Sequence, residues 1–134
     1  MTSITTQTNT RGKAQRALAQ KVQRLYKNQI GHSPGKVTCQ IIDNTITVIA
    51  EDSLTKLEQL LLESEKDELT PLQVDVEQVR SDLETAIRPL FVDVIQETLS
   101  TNVVDVLSDT TLETGRTAIV AILADSPEFT SNDR

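Results

Sequence analysis

The sequence predicts an α+β fold, a four-stranded sheet built from two β-hairpins with helices packed on one face, in the order α-β-β-α-α-β-β. Apolar residues recur at three- and four-residue steps between Gly12 and Ile30 and again from Leu72 to Val94, which is helical spacing. Between Val37 and Ala50 the period drops to two, and a second pair of strand-like runs closes the chain. Turn residues separate the members of each pair, so both read as hairpins.

The first helix carries Ala14, Leu18, Val22, Leu25 and Tyr26 on its apolar side and Lys13, Arg16, Arg24 and Lys27 opposite. Gly31 and Pro34 end it. In the first hairpin, Asp43-Asn44 occupies the place of a two-residue loop, because both residue types tolerate positive φ. Pairing Ile42 with Thr45 then puts Val37, Cys39, Ile41, Ile46, Val48 and Ala50 on one face. A slip of one residue would mix the faces.

Thr55 and Glu58 form a capping box ahead of Leu57, Leu60, Leu61 and Leu62, which predicts a short helix. Thr70-Pro71 starts a longer one, with proline where its missing N–H costs nothing. Leu72, Val76, Val79, Leu83, Ile87, Leu90 and Val94 supply its stripe, and Pro89 predicts a kink. Asn102 to Leu107 and Arg116 to Leu123 are the last strands, joined by the loop SDTTLETG. Ala118 to Leu123 is apolar on both faces, which suits an inner strand.

The polar ends, 1-10 and 125-134, cannot repay the entropy of ordering and are expected as disordered tails. A single domain is expected over 11-124, comprising the basic helix at 11-30 and a core at 31-124. The 134 residues contain one cysteine, Cys39, and one histidine, His32, which leaves neither a disulfide framework nor a Cys/His zinc site. No apolar run approaches the roughly 18 to 20 residues of a membrane span, and the first ten residues lack a secretory signal, so the cytoplasm is the expected compartment. Aromatic residues, at 2%, are too few for a base-stacking platform.

The net charge of −7 conceals a division just before Asp43. Residues 1–42 hold seven basic residues and no acidic one, while the remainder holds six basic and twenty acidic. A +7 segment is therefore joined to a −14 body, and the candidate anion- or partner-binding residues are Lys13, Arg16, Lys21, Arg24, Lys27, His32 and Lys36. Anionic lipid, nucleic acid and the protein's own acidic body are the alternative targets. The helix has no Trp or Phe to enter a bilayer, and the acidic body repels nucleic acid, which disfavours both external targets.

Catalytic chemistry finds little footing. Gly31-His32-Ser33-Pro34-Gly35-Lys36 imitates a phosphate loop but is one residue short, lacks the following Ser or Thr, and joins a helix to a strand. Cys39 falls on the apolar face of the hairpin, where a thiol is inert. Glu51/Asp52 and Glu65/Asp67/Glu68 lie at loops and helix ends, where solvent keeps carboxylates ionised. Asp105 and Asp109 suit edge-strand charges better than a calcium loop. No catalytic group, metal, cofactor or small-molecule substrate is expected.

Four segments carry a resemblance. They are the Gly31-x-x-Pro34 turn, Leu54-Thr55 with Leu57-Glu58, Ala86-x-Arg88-Pro89, and Val103-Val104-Asp105-Val106-x-Ser108-Asp109. Together they make Gly31 to Leu123 resemble the bacterial MpsC family, formerly a domain of unknown function and now named for the C component of a Na+-translocating, membrane-potential-generating system. The resemblance spans about two thirds of the chain and departs at His32, where the turn usually carries a second basic residue. It implies a bacterial, noncatalytic accessory component of a membrane-associated or ion-translocating assembly, cytoplasmic or peripheral to the inner membrane. Its motif positions here are Gly31, Pro34, Arg88, Pro89, Asp105 and Asp109, with Arg88 and Asp105 as the candidate functional pair. The expected mode of action is a homodimeric interaction or regulatory module, docking a protein partner through its long helix and an open sheet face or edge. The alternative is an anion-binding protein acting through the basic helix.

Overall fold

The computed structural model describes residues 10–66 and 75–130. Helix α1 spans Arg11–Ile30, capped by Thr10, whose Oγ1 accepts a hydrogen bond from Lys13 N at 3.2 Å. Gly31 closes it at φ 82°, its N–H donating to Lys27 O at 3.0 Å. That left-handed backbone is where glycine is favoured. Ala14, Leu18, Val22 and Tyr26 are buried along one line of the helix, as the spacing predicts.

Strands β1 (Lys36–Ile42) and β2 (Thr45–Glu51) pair antiparallel from Ile42↔Thr45 to Lys36↔Glu51, the expected register. Asp43 takes φ 53° in the turn. Asn44 fastens that turn to the far end of the chain: its Nδ2 donates to Leu123 O at 3.2 Å, and its carbonyl accepts from Leu123 N at 2.8 Å.

Strand β3 (Val103–Thr111) pairs with β4 (Arg116–Leu123), and the sheet order is β1-β2-β4-β3. The doubly apolar β4 is an inner strand, as its composition predicts. Strand β3 is longer than expected. Residues 108–111, read from the sequence as loop, continue the ladder to Thr111↔Arg116, leaving only 112–115 as the turn. Ser108 and Thr110 deceive because their side chains bond inward rather than face water: Thr110 Oγ1 shares a hydrogen bond with Thr117 Oγ1 at 2.7 Å.

Helices α2 (Lys56–Lys66) and α3 (Val76–Leu99) connect the hairpins. The expected start at Thr70-Pro71, with Leu72, lies outside the described residues. Asp75 caps the described helix, accepting from Glu77 N at 2.9 Å, and Pro89 sits within its 24 residues. Its buried line differs from the expected stripe: Val76, Arg80, Ile87, Phe91 and Ile95 face inward, while Val79, Leu83, Leu90 and Val94 are only half-buried. An arginine holds a core position that periodicity assigned to its apolar neighbours.

The core lies between the helices and one face of the sheet, where Cys39, Ile41, Ile46, Val48, Ile119, Ala121 and Leu123 meet Leu18, Val22, Phe91 and Ile95. Of the segment expected as a C-terminal tail, residues 125–130 are described. Phe129 packs partly buried against this core, with the Arg11 guanidinium 5.5 Å from its ring centroid.

Adjacent residues of β1 therefore experience opposite environments, Ile41 being 2% exposed and Ile42 64%. Ile41→Ala is expected to cost about 2–5 kcal/mol in urea unfolding, and Ile42→Ala to stay within about 0.5 kcal/mol. Equal losses would overturn the register.

Candidate functional site

The capping box of α2 does more than start a helix. Glu58 Oε1 accepts from Thr55 N at 2.9 Å and from Thr55 Oγ1 at 3.0 Å, while Glu58 N donates to Thr55 Oγ1 at 3.2 Å. The carboxylate is fully buried, and a buried charge requires a partner. Arg80, 4% exposed, supplies it: Nε donates to Oε2 and Nη2 to Oε1, both at 2.7 Å. This two-pronged pairing suits the planar guanidinium. Arg80 Nη2 also donates to Ser53 O at 2.9 Å, tying α3 to the segment after β2.

A line of hydroxyls extends the network. Ser53 Oγ and Thr117 Oγ1 lie 2.7 Å apart, as do Thr117 Oγ1 and Thr110 Oγ1, and Thr110 Oγ1 donates to Glu84 Oε2. Ser53 Oγ donates to Gly115 O at 3.0 Å and Thr110 Oγ1 to Glu84, so the single hydroxyl proton of Thr117 serves one of its two neighbours. Ser108 Oγ donates to the other oxygen of Glu84 at 3.4 Å, and Arg88 Nη2 donates to Ser108 Oγ at 3.4 Å. A cleft of about 730 Å³ lies over this network between α3 and the β3–β4 turn.

The family-motif positions do not meet in one place. Arg88 is half-buried on the helix-covered side, whereas Asp105 is exposed, pairs across from Ile122, and accepts from Val106 N at 3.0 Å. The expected Arg88–Asp105 pair is therefore corrected: the sheet separates them, because alternation along β3 turns Asp105 to the uncovered face. Asp109 is exposed, accepts from Thr110 N at 2.9 Å, and shares the parity of Asp105, so its carboxylate faces the uncovered side although the residue borders the cleft. Pro89 is exposed on α3.

The Gly31–Lys36 loop is occupied with its own structure. His32 Nε2 donates to Asp52 O at 2.7 Å, and Gln23 Nε2 donates to the carbonyl of buried Pro34 at 2.7 Å. Gly35 N donates to Glu51 O at 2.9 Å, and a Cβ added there would lie 3.3 Å from Asp52 Cβ. Its amide is spent on β2 rather than presented to an anion. Burial pushes the Cys39 thiol up to about 12, so it stays protonated at neutral pH.

On α1, Lys13, Arg16, Lys21, Arg24 and Lys27 are all exposed, and Lys36 is exposed at the start of β1. Lys21 Nζ donates to Thr98 Oγ1 at 3.0 Å. Among the described residues, Lys13, Arg16, Arg24 and Lys27 form no ion pair with the acidic body; exposed Arg116 and Glu51, 3.6 Å apart, are paired on the sheet instead.

The opposite face of the sheet is uncovered by the helical layer. Its ladder rows are Ile42–Thr45–Ile122–Asp105, Gln40–Thr47–Val120–Leu107 and Thr38–Ile49–Ala118–Asp109. Ile42, Leu107 and nearby Val104 are more than half exposed. Sequence alternation predicts a more polar face, since it weighs the threonines of the first hairpin but not the doubly apolar β4.

Among the described residues, no helix is long and apolar enough to cross a membrane, and no group of three or more His, Cys, Asp or Glu side chains is placed to hold a metal ion. Residues 10–125 match the family model described as Na+-translocating membrane potential-generating system (MpsC). No curated protein and no solved structure matches the chain.

The buried pair yields a direct test. Glu58→Ala strands the Arg80 charge and is expected to cost about 3–5 kcal/mol, whereas Glu58→Leu with Arg80→Met is expected to recover most of that loss in chemical unfolding. Simple additivity of the two single changes would show that they do not act as a pair.

Proposed function

The chain belongs to the MpsC family, and from that premise we propose that it is a noncatalytic accessory component of a bacterial membrane-associated or ion-translocating assembly, acting as a homodimeric interaction or regulatory module. In this reading it is cytoplasmic or peripheral to the inner membrane, joining the assembly by docking rather than by spanning the bilayer.

The observation that supports self-association is the uncovered sheet face. Ile42, Ile49, Leu107, Val120 and Ile122 share it, and contiguous exposed apolar surface of this kind marks an interaction site. Two such sheets pack about 10 Å apart. Charge selects between two-fold arrangements. An axis across the strands stacks β3 on β3 and sets Asp105 over Asp109 of the second copy, which is repulsive. An axis along the strands stacks β1 on β3 and β2 on β4, placing Glu51 opposite Arg116 twice over. The second arrangement is the one proposed.

A second reading rests on the unpaired basic face of α1. Lys13, Arg16, Arg24 and Lys27 present concentrated positive charge to solvent, which suits an anionic surface such as acidic lipid or nucleic acid.

Sedimentation of the purified chain at tens of micromolar is expected to show a dimer, and Leu107→Glu to weaken association about tenfold or more without loss of fold. A wild-type monomer at that concentration would overturn self-association. For the second reading, acidic liposomes and duplex DNA are the probes. Binding is expected at low salt, to vanish at moderate salt, and to be abolished when the four α1 cations become Gln; no binding at low salt would refute it.

A further inference from the structure

Three hydrogen-bond donors, two of them buried, are left over beside the Glu58–Arg80 network. Arg80 Nη1 and Arg88 Nε are buried without a partner. The Tyr26 side chain is 2% exposed, and its hydroxyl makes no hydrogen bond. Native interiors rarely leave such groups unmet. The three are neighbours: Arg80 and Arg88 line the cleft between α3 and the β3–β4 turn, and Tyr26 and Arg88 line a recess of about 10 Å³ that adjoins it and shares Glu84, Arg88 and Ser108. Ile87, Phe91, Val106 and Ile119 form the recess's apolar wall.

The nearby acceptors are already engaged. Both oxygens of Glu58 accept from Arg80, and both oxygens of Glu84 accept from Ser108 and Thr110. Donors that reach none of these oxygens call for an acceptor-rich group, and a carboxylate brings two oxygens with about four lone-pair sites. Burial lifts Tyr26 to about 12, so its hydroxyl keeps the proton that it would donate. The floor carries no net charge to oppose a carboxylate, since Glu58 balances Arg80 and Glu84 stands beside Arg88. The mouth is different: Glu77 and Glu113 are exposed carboxylates. A lone anion would be repelled there, and a lone amine would leave the buried donors unmet.

We propose that this cleft binds a small zwitterion of the amino-acid class, its carboxylate held inward by Tyr26, Arg80 and Arg88 and its ammonium outward toward Glu77 and Glu113. The recess has room for about one water, so it admits a single carboxylate oxygen beside Tyr26 and Arg88 and leaves the other in the cleft beside Arg80. The ligand's side chain lies in the wider, solvent-open cleft.

Calorimetric titration of the full chain with the common amino acids tests this, with acetate and methylammonium at matched ionic strength as single-charge controls. Saturable binding of at least one amino acid and of neither control is expected. Tyr26→Phe and Arg88→Lys are each expected to weaken it about tenfold, with circular dichroism unchanged, and Glu77→Gln with Glu113→Gln to weaken it as well. Acetate binding as tightly as the amino acids would reduce the site to an oxyanion site and overturn the zwitterion. Binding by no amino acid, or binding untouched by Tyr26→Phe and Arg88→Lys, would overturn the proposal outright.

Discussion

The arrangement of this protein turns on one buried ion pair. Glu58 and Arg80 sit where the end of the first hairpin, α2, α3 and the second hairpin come together, and neither charge can be left alone in that interior. Because Arg80 must point inward, α3 is rotated so that Ile87, Phe91 and Ile95 follow it into the core. Because Glu58 also caps α2 and Arg80 holds Ser53, the same few atoms set where α2 begins and how it meets the sheet. An apolar pair of similar volume would provide cohesion without such directional control.

The parts of the fold legible in the sequence are those where local chemistry and long-range packing agree. Asp43-Asn44 and the alternation of β1 and β2 specify one register together, and Gly31 marks the end of α1 through a backbone requirement that few residues meet. Legibility fails where a polar side chain is buried. Arg80 interrupts no hydrophobic stripe that a one-dimensional period would recognise, since Val79 and Leu83 continue the pattern beside it. Thr110 and Ser108 read as loop for the same reason: their partners Thr117 and Glu84 come from other elements. The cleft is built from these residues, so its position was not readable, although Arg88 and Asp109 at its edge belong to segments that carry the family resemblance. Pairing Arg88 with Asp105 failed on strand alternation alone.

The two charge domains of the sequence acquire a spatial meaning. Six of the seven cations of the +7 segment lie on a helix whose apolar side is locked into the core, so they point outward, away from the layer that they cover. On the far side of the molecule the sheet presents an apolar centre with acidic residues along β3. One face is therefore suited to contacts that salt weakens, and the other to contacts that salt hardly affects. The proposed modes of association use different surfaces and need not compete.

The join between the hairpins bears on how the chain finds this structure. Each hairpin is local, but β2 pairs with β4 from Thr45↔Ile122 to Ala50↔Thr117, so completing the sheet closes a long loop that contains both α2 and α3. Such closure is paid in chain entropy before its contacts return anything, which makes it the slow step of assembly. The loop is shortened from within by Glu58 and Arg80, only 22 residues apart. At its end, Asn44 receives Leu123 through two hydrogen bonds, a latch that only a correctly aligned second hairpin can reach.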